Sequence, residues 1–201
     1  MVRDQALAIA GILSPRMNGP SVYPPQPDGL WQAAFNGERN YPTSTGDERW
    51  RRGLYTFWRR TVPPPSLQTF DAPSREVCTI RRQSTNTPLQ AFVTLNDPIF
   101  VEAAQGFARR IVKEGGATPQ SQATFALRLA LARAPAPEQV AVLVDLHARE
   151  LARYAADPES AHKLATSEML PPIAAADAPE LAAWTAVANV VLNLDAVLTR
   201  G

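Results

Sequence analysis

Residues 70–96 hold the densest group of side chains able to bind a ligand or take part in catalysis. The group mixes carboxylates, amides and guanidinium groups: Asp71, Arg75, Glu76, Arg81, Arg82, Asn86, Gln90 and Asn96. One interpretation is a structural polar network, because irregular backbone needs side chains as hydrogen-bond partners. The other is a site for an anionic or carbohydrate-like ligand, since guanidinium groups bind carboxylate, sulfate or phosphate. In that second interpretation Trp50 and Trp58 form an aromatic platform beside the arginines.

The other reactive side chains do not form a catalytic motif. His147 and His162 are fifteen residues apart, and no carboxylate stands at the spacing of a HExxH or HxxE zinc motif. His147 falls on an apolar helical stripe and is predicted to pack in the core. Cys78 has no histidine near it in sequence to act as a base, and it is predicted to be a buried thiol. A lone cysteine also excludes an internal disulfide and a four-cysteine zinc site, and no metal site is predicted.

Proline divides the chain into two halves. Twelve of the 19 prolines lie in the first 98 residues, and each fixes its own φ and disfavours helix at the residue before it. Residues 1–86 are therefore predicted to form an irregular half, apart from a helix over Val2–Leu13. Residues 87–201 are predicted to form the helical half.

Four proline pairs in the helical half have the form of helix starts. Thr87-Pro88, Asp97-Pro98, Thr118-Pro119 and Asp157-Pro158 each place a capping oxygen before a proline at the first helical position. Further helices are predicted from Pro137 and from near Pro179, which gives a bundle of four or five helices. The last helix carries an apolar stripe and is predicted to anchor the bundle. The stripe consists of Leu181, Trp184, Val187, Val191, Leu194 and Leu198.

Two short segments alternate in the manner of strands. Residues 53–60 and 76–83 place apolar or aromatic side chains at every second position. They predict a short two-stranded antiparallel β element, although 49–60 also fits a helix face. The predicted fold class is therefore mainly α, with a helical bundle, an irregular proline-rich half and this small β element.

Composition and charge exclude several classes of protein. Hydrophobic residues make up 45% and charged residues 19% of the chain, as in a globular protein. No run of about 18 apolar residues is present, so no membrane span is predicted. The net charge is only +1, which argues against a nucleic-acid binder. A basic surplus in 39–82 and an acidic surplus in 134–201 indicate that the two regions face each other or face different partners.

Three segments, in this order, resemble a known family. They are NGPSVYPPQPDGLW (18–31), RRGLYTFWRRTVPPPSLQTFDAPSREVCTIRR (51–82) and TNTPLQAFVTLNDPIFVEAA (85–104). They are similar to the C-terminal part of a planctomycete-specific domain of unknown function, found in large multidomain cytochrome-c-like proteins. The resemblance implies that residues 1–201 are a single partial domain, the C-terminal fragment of a larger protein. It also implies that the upstream part of the same polypeptide is a partner, and that the location is periplasmic or in the cell envelope.

The resemblance carries over neither a cofactor nor a catalytic residue. Haem would belong only to an upstream module, because this chain has no CxxCH motif. If the chain is a fragment, the apolar face of the helix at 2–13 and the loop around Trp31 and Phe35 are expected to be exposed.

Three function classes stay open. The first and favoured one is a non-catalytic structural or interaction module of a large envelope protein. The second is a module that binds acidic or sulfated glycans, which requires exposed arginines beside Trp50 or Trp58. The third is the C-terminal part of an enzyme whose active site needs upstream residues.

Overall fold

The computed structural model describes residues 2–81 and 85–198, and this part of the chain is mainly helical. Its α-helices are α1 (Val2–Ala10), α2 (Leu30–Ala34), α3 (Pro65–Thr69), α4 (Pro88–Asn96), α5 (Pro98–Glu114), α6 (Pro119–Leu131), α7 (Pro137–Ala156), α8 (Pro158–Ala165), α9 (Ala178–Leu192) and α10 (Asp195–Leu198). Short 3₁₀ turns span Gly46–Trp50, Gly53–Tyr55 and Ala175–Asp177. The mainly α fold and the irregular N-terminal half are confirmed.

Helix α9 is the centre of the bundle. It contacts α4, α5, α6, α7, α8 and α10. Trp184, Val187 and Val191 of α9 are fully buried in one core with Phe107 and Ile111 of α5. The prediction that this helix anchors the bundle is confirmed, although α9 ends at Leu192 and the last two residues of the stripe are only half-buried.

All four predicted capping pairs are present at the helix starts. The side chains of Thr87, Asp97, Thr118 and Asp157 each accept a hydrogen bond from a backbone N–H in the first turn. At Asp157 the hydrogen bonds from the side chain and from the backbone N–H of Ser160 lower the pKa of the carboxyl below its usual value. Because each cap is followed by a proline that has no N–H, the first turn leaves fewer donors without a partner.

The predicted two-stranded β element is wrong for the residues that the structure describes. Residues 53–55 form a 3₁₀ turn, and the backbone after it pairs with Val22 instead of with 76–83. Val22 N donates to Tyr55 O and Phe57 N donates to Val22 O, both at 2.8 Å. Residues 76–81 are exposed, so their alternating pattern has no buried face. Residues 82 and 83 of the predicted strand lie outside the described residues.

Two expectations about burial are also wrong. Cys78 is exposed, because its segment runs over the surface. Conversely, the apolar face of α1 is buried, since it packs on α5. Trp31 is only 7% exposed because it lies against the rings of Tyr41 and Phe57.

His147 is a core residue, as its position on the stripe of α7 predicts. It is 4% exposed, and its imidazole stacks on the indole of Trp184 with ring centroids 4.3 Å apart. Burial lowers the pKa of His147 from 6.5, and the charge of Glu180 opposes this shift more weakly. The folded state therefore favours the neutral imidazole.

We expect the free energy of unfolding to fall as the pH drops from about 7 to about 5, because the unfolded chain takes up a proton on His147 first. The contribution of His147 to the free energy of unfolding is fully present above the ordinary pKa of the unfolded chain. It is lost as the pH falls through the lowered pKa of the folded protein. His147→Phe, which keeps a stacked ring, should flatten this dependence, whereas replacement of the exposed His162 by Phe should not. Urea unfolding at several pH values measures it. Equal slopes in the native and His147→Phe proteins would contradict the assignment.

Candidate functional site

A buried charge cluster joins α1, residues 49–51 and α5. We name it the arginine–glutamate cluster, and it consists of Arg3, Arg49, Trp50, Arg51 and Glu102. Arg49 Nε donates to both carboxylate oxygens of Glu102, at 3.0 Å to Oε1 and at 2.9 Å to Oε2. Arg49 Nη2 also donates to Oε1. The indole N–H of Trp50 donates to Glu102 Oε2 at 3.0 Å. Trp50 is therefore part of this cluster and of the core edge, and its N–H is not available to a ligand.

The two most deeply buried arginines of the cluster donate to backbone carbonyl groups. Arg3 Nη1 donates to Arg51 O, and Arg3 Nη2 donates to Arg49 O, both at 2.8 Å. Arg51 is fully buried, and it donates to the carbonyl oxygens of Asn18 and Pro20. Burial lowers the pKa of Arg3 from its ordinary value. These contacts attach irregular backbone to α1.

The cavity that lies beside Arg3 is too small for a substrate. Arg3, Tyr41 and Thr56 line a cavity of about 10 Å³, which is close to the minimum for a single water molecule. Burial raises the pKa of Tyr41 and of Asp97, which lie near Arg3. Each carboxylate here already accepts protein donors, so the arrangement is structural.

We expect Glu102→Ala to lower the free energy of unfolding by about 3–5 kcal/mol, because Arg49 would remain buried without its partner. The matched control is Glu48→Ala. It breaks the Arg16–Glu48 ion pair, whose side chains are 54% and 40% exposed, and should cost less than about 1 kcal/mol. Urea denaturation measures both variants. Equal losses would contradict a special role for the cluster.

The predicted residues of 70–96 lie elsewhere, around a surface loop. Asp71 accepts from Thr85 N at 2.8 Å, and Gln90 Nε2 donates to Thr69 O at 2.8 Å and to Thr85 Oγ1 at 2.9 Å. We name Asp71, Thr85 and Gln90 the loop clamp. It holds the ends of the loop together, and residues 73–81 between them are exposed.

The remaining predicted residues are dispersed around the clamp. Asn86 donates to Asp195 of α10 at 2.6 Å, and Asn96 donates to Phe92 O within α4. Glu76 and Arg81 are exposed, and within the described residues no ion pair joins Arg75 or Arg81 to Glu76. Arg82 lies outside the described residues. The structure therefore brings Asp71 and Gln90 together, and it places Glu76 and Arg81 at the surface.

The second predicted platform residue, Trp58, lies beside an exposed arginine. The guanidinium carbon of Arg75 is 5.1 Å from the centroid of the Trp58 ring. Trp58 is half-buried and Arg75 is exposed. The requirement stated for a glycan-binding module, an exposed arginine next to a tryptophan, is therefore met at Trp58.

Helix α4 buries two polar side chains and exposes two large apolar ones, although its Val93 is half-buried against the core. Gln90 and Thr94 are 3% and 2% exposed, whereas Leu89 and Phe92 are 62% and 67% exposed. Thr94 Oγ1 lies 2.6 Å from Asn193 Oδ1 and donates to it, so the inward polar groups have partners. Residues 89 and 92 share one face because they are three positions apart. This face was missed in the sequence, where Leu89 and Phe92 look like ordinary core residues.

A cluster of aromatic rings, against which arginine side chains lie, was also missed in the sequence. Tyr23, Trp31, Phe35, Tyr41 and Phe57 contact one another with ring centroids 4.9–6.0 Å apart. In the sequence these aromatic residues are scattered among prolines, and their spacing does not indicate a cluster. The cluster fixes residues 23–57, which have little regular secondary structure.

The sequence profile of the PSD1 family, described as a protein of unknown function (DUF1553), matches residues 1–147. The chain belongs to this family. Since PSD1 is a family of unknown function, membership assigns no activity to the chain. No curated protein and no solved structure matches the chain significantly.

The PSD1 match contains every feature of the candidate site. The arginine–glutamate cluster, the loop clamp and α4 all lie before residue 147. Helices α8 and α9 lie beyond it, although α9 completes the core. Within the described part of this PSD1 chain, no three His, Cys, Asp or Glu side chains are grouped as metal ligands. Nor is any described helix both long and apolar enough to cross a bilayer.

We expect Asp71→Ala to accelerate trypsin cleavage after Arg75 and Arg81 several-fold, because the loop loses an acceptor that holds its base. The control is Asp28→Ala, which changes an exposed carboxylate outside the clamp. Limited proteolysis followed by mass spectrometry measures the two rates. Unchanged cleavage in Asp71→Ala would show that the clamp does not restrain the loop.

Proposed function

We propose that this PSD1 domain is a non-catalytic interaction module of a larger protein. It docks on another domain of the same polypeptide through an outward apolar surface, which consists of Val77, Ile80, Leu89, Phe92 and Leu95. The proposal rests on the orientation of α4, which buries Gln90 and Thr94 and exposes Leu89 and Phe92. A helix that faced only water would gain nothing from exposing a leucine and a phenylalanine while burying an amide and a hydroxyl.

The buried partners of α4 fix its orientation. Gln90 holds the loop clamp, and Thr94 is bonded to Asn193 beyond the end of α9. Rotating α4 to bury Phe92 would break both sets of hydrogen bonds and leave buried polar groups unpaired. The apolar side chains are therefore held outward, and covering one of them completely contributes about 1.5–3 kcal/mol.

The exposed loop carries two further apolar side chains. Val77 and Ile80 are 73% and 106% exposed, and the loop that carries them is attached at Gln90 of α4. The outward apolar surface holds five of the nine large apolar side chains that are exposed in the described residues. Exposed apolar residues that gather in one region mark an interaction site more often than isolated ones do.

The size of the surface favours a partner on the same polypeptide. A stable interface between separate proteins uses about 20–30 residues on each side, and this surface offers five large side chains. A covalently linked domain needs less contact, because the linkage gives an effective concentration of up to about the millimolar range.

We extend the proposal to the setting of the larger protein. The three segments at 18–31, 51–82 and 85–104 resemble planctomycete cytochrome-c-like proteins, which favours export to the cell envelope. Any haem would be bound by another module of that protein. Recovery of the chain in the cytoplasmic fraction of lysed cells would contradict this setting.

Cross-linking from Cys78 tests the docking. In the complete polypeptide that carries this domain, with other cysteines replaced by serine, a benzophenone maleimide on Cys78 reports what covers the loop. We expect cross-links to another domain of the same polypeptide. Their yield should fall at least fivefold in the double variant Leu89→Ser, Phe92→Ser, because the apolar contact is lost.

The matched control is Val142→Ser. This residue is 64% exposed on α7, away from the outward apolar surface, and its replacement should leave the yield unchanged. Cross-links between two copies of the polypeptide would overturn the proposal in favour of self-association. A yield that does not respond to the double variant would show that the surface is not the contact.

A further inference from the structure

Two arginines lie against a single phenylalanine ring at the edge of the aromatic cluster. The guanidinium carbon of Arg59 is 4.5 Å from the centroid of the Phe35 ring, and that of Arg39 is 5.2 Å from it. Arg59 also lies 5.9 Å from the Trp31 ring. The two guanidinium groups therefore lie close to the same ring.

Neither cation is neutralised within the described residues. The ion pairs found there involve other arginines, and neither guanidinium group of this pair donates a hydrogen bond to a described residue. Each guanidinium group carries five N–H donors. This contrasts with Arg3, Arg49 and Arg51, whose Nη groups donate to protein oxygens.

The rings hold the two cations in place. Trp31 is buried, and it packs edge-on against Phe35 with ring centroids 6.0 Å apart. A guanidinium group that stacks on a ring keeps its N–H edges available to acceptors in its own plane. Because the rings restrict the side chains before a ligand arrives, less conformational entropy is lost on binding.

We propose that Arg39, Arg59 and Phe35 form a binding site for an anionic polysaccharide, with sugars that carry carboxylate or sulfate groups. The guanidinium groups bind the anionic oxygens, and the half-buried Phe35 ring holds the two guanidinium groups in position. Arg39 and Arg75 are exposed and Arg59 is half-buried; Arg75 lies over Trp58, the residue before Arg59, and adds a third cation to this region. The net charge of +1 gives no general attraction for nucleic acids, so the attraction is local.

Binding of the purified 201-residue chain to four probes tests the site. The probes are heparin (sulfated), polygalacturonate (carboxylated), neutral dextran and a short DNA duplex, each at 50 mM and at 150 mM salt. We expect binding to heparin or polygalacturonate; binding to polygalacturonate shows that carboxylate groups suffice, and binding to heparin alone shows that sulfate groups are needed. We expect no binding to dextran and at least tenfold weaker binding to DNA.

Variants distinguish a site from general charge attraction. Arg39→Gln with Arg59→Gln should weaken binding at least tenfold, and Arg59→Lys should also weaken it, because lysine keeps the charge but lacks the planar fork. Arg52→Gln is the matched control, since Arg52 is an exposed arginine of the same basic region with no ring contact, and it should change binding less than twofold. Thermal unfolding confirms that each variant is folded.

Three results would overturn the proposal. They are no binding to either anionic probe, equal losses in Arg52→Gln and in the double variant, and DNA affinity as high as that for the polysaccharides. The site is independent of docking through α4, so the double variant Leu89→Ser, Phe92→Ser should bind the probes like the native chain.

Discussion

The irregular half of the molecule contains backbone carbonyl groups that neither a sheet nor a helix can pair, and buried guanidinium groups satisfy them. Arg3 and Arg51 donate to carbonyl oxygens up to 48 residues away in sequence. A carbonyl left unpaired in the interior would cost about 1–3 kcal/mol. Without these donors the carbonyl oxygens of Asn18, Pro20, Arg49 and Arg51 would lose their side-chain partners. Arg49 and Glu102 then attach the same segment to the core helix by an ion pair.

Side chains of α5 also donate hydrogen bonds to backbone carbonyl groups. Gln105 donates to the carbonyl oxygens of Leu164 and Thr166, and Arg110 donates to Ile9 O. One face of α5 therefore packs in the core with α9, while long polar side chains at its edges hold chain ends and turns. The exposed loop at 73–81 and the outer face of α4 take no part in these contacts of α1 and α5.

Local signals allowed the helical half to be predicted from sequence. Thr87, Asp97, Thr118 and Asp157 cap helices because a capping oxygen followed by proline acts within one turn, and no distant contact is needed. The prediction of two strands was wrong because a strand, unlike a helix cap, depends on distant contacts. Alternation in 76–83 has meaning only if one face is buried, and burial depends on residues far away in the chain. The arginine–glutamate cluster was missed because Arg49 and Glu102 are 53 residues apart, and no short-range pattern links them. Of the candidate site, the density of polar residues at 70–96 was visible, but the inward or outward direction of each side chain was not.

The pairing of α5 with α9 also has a consequence for synthesis on the ribosome. α5 is complete at Glu114, but its main apolar partner starts at Ala178. At roughly 5–20 residues per second, several seconds separate the two helices. During that interval α5 can pack against α1, α4 and α6 but not against α9, and the growing chain presents an unfinished apolar groove. Folding of this domain is therefore completed only after α9 has been synthesised, and a nascent chain halted before α9 would be a substrate for chaperones that recognise exposed apolar surface.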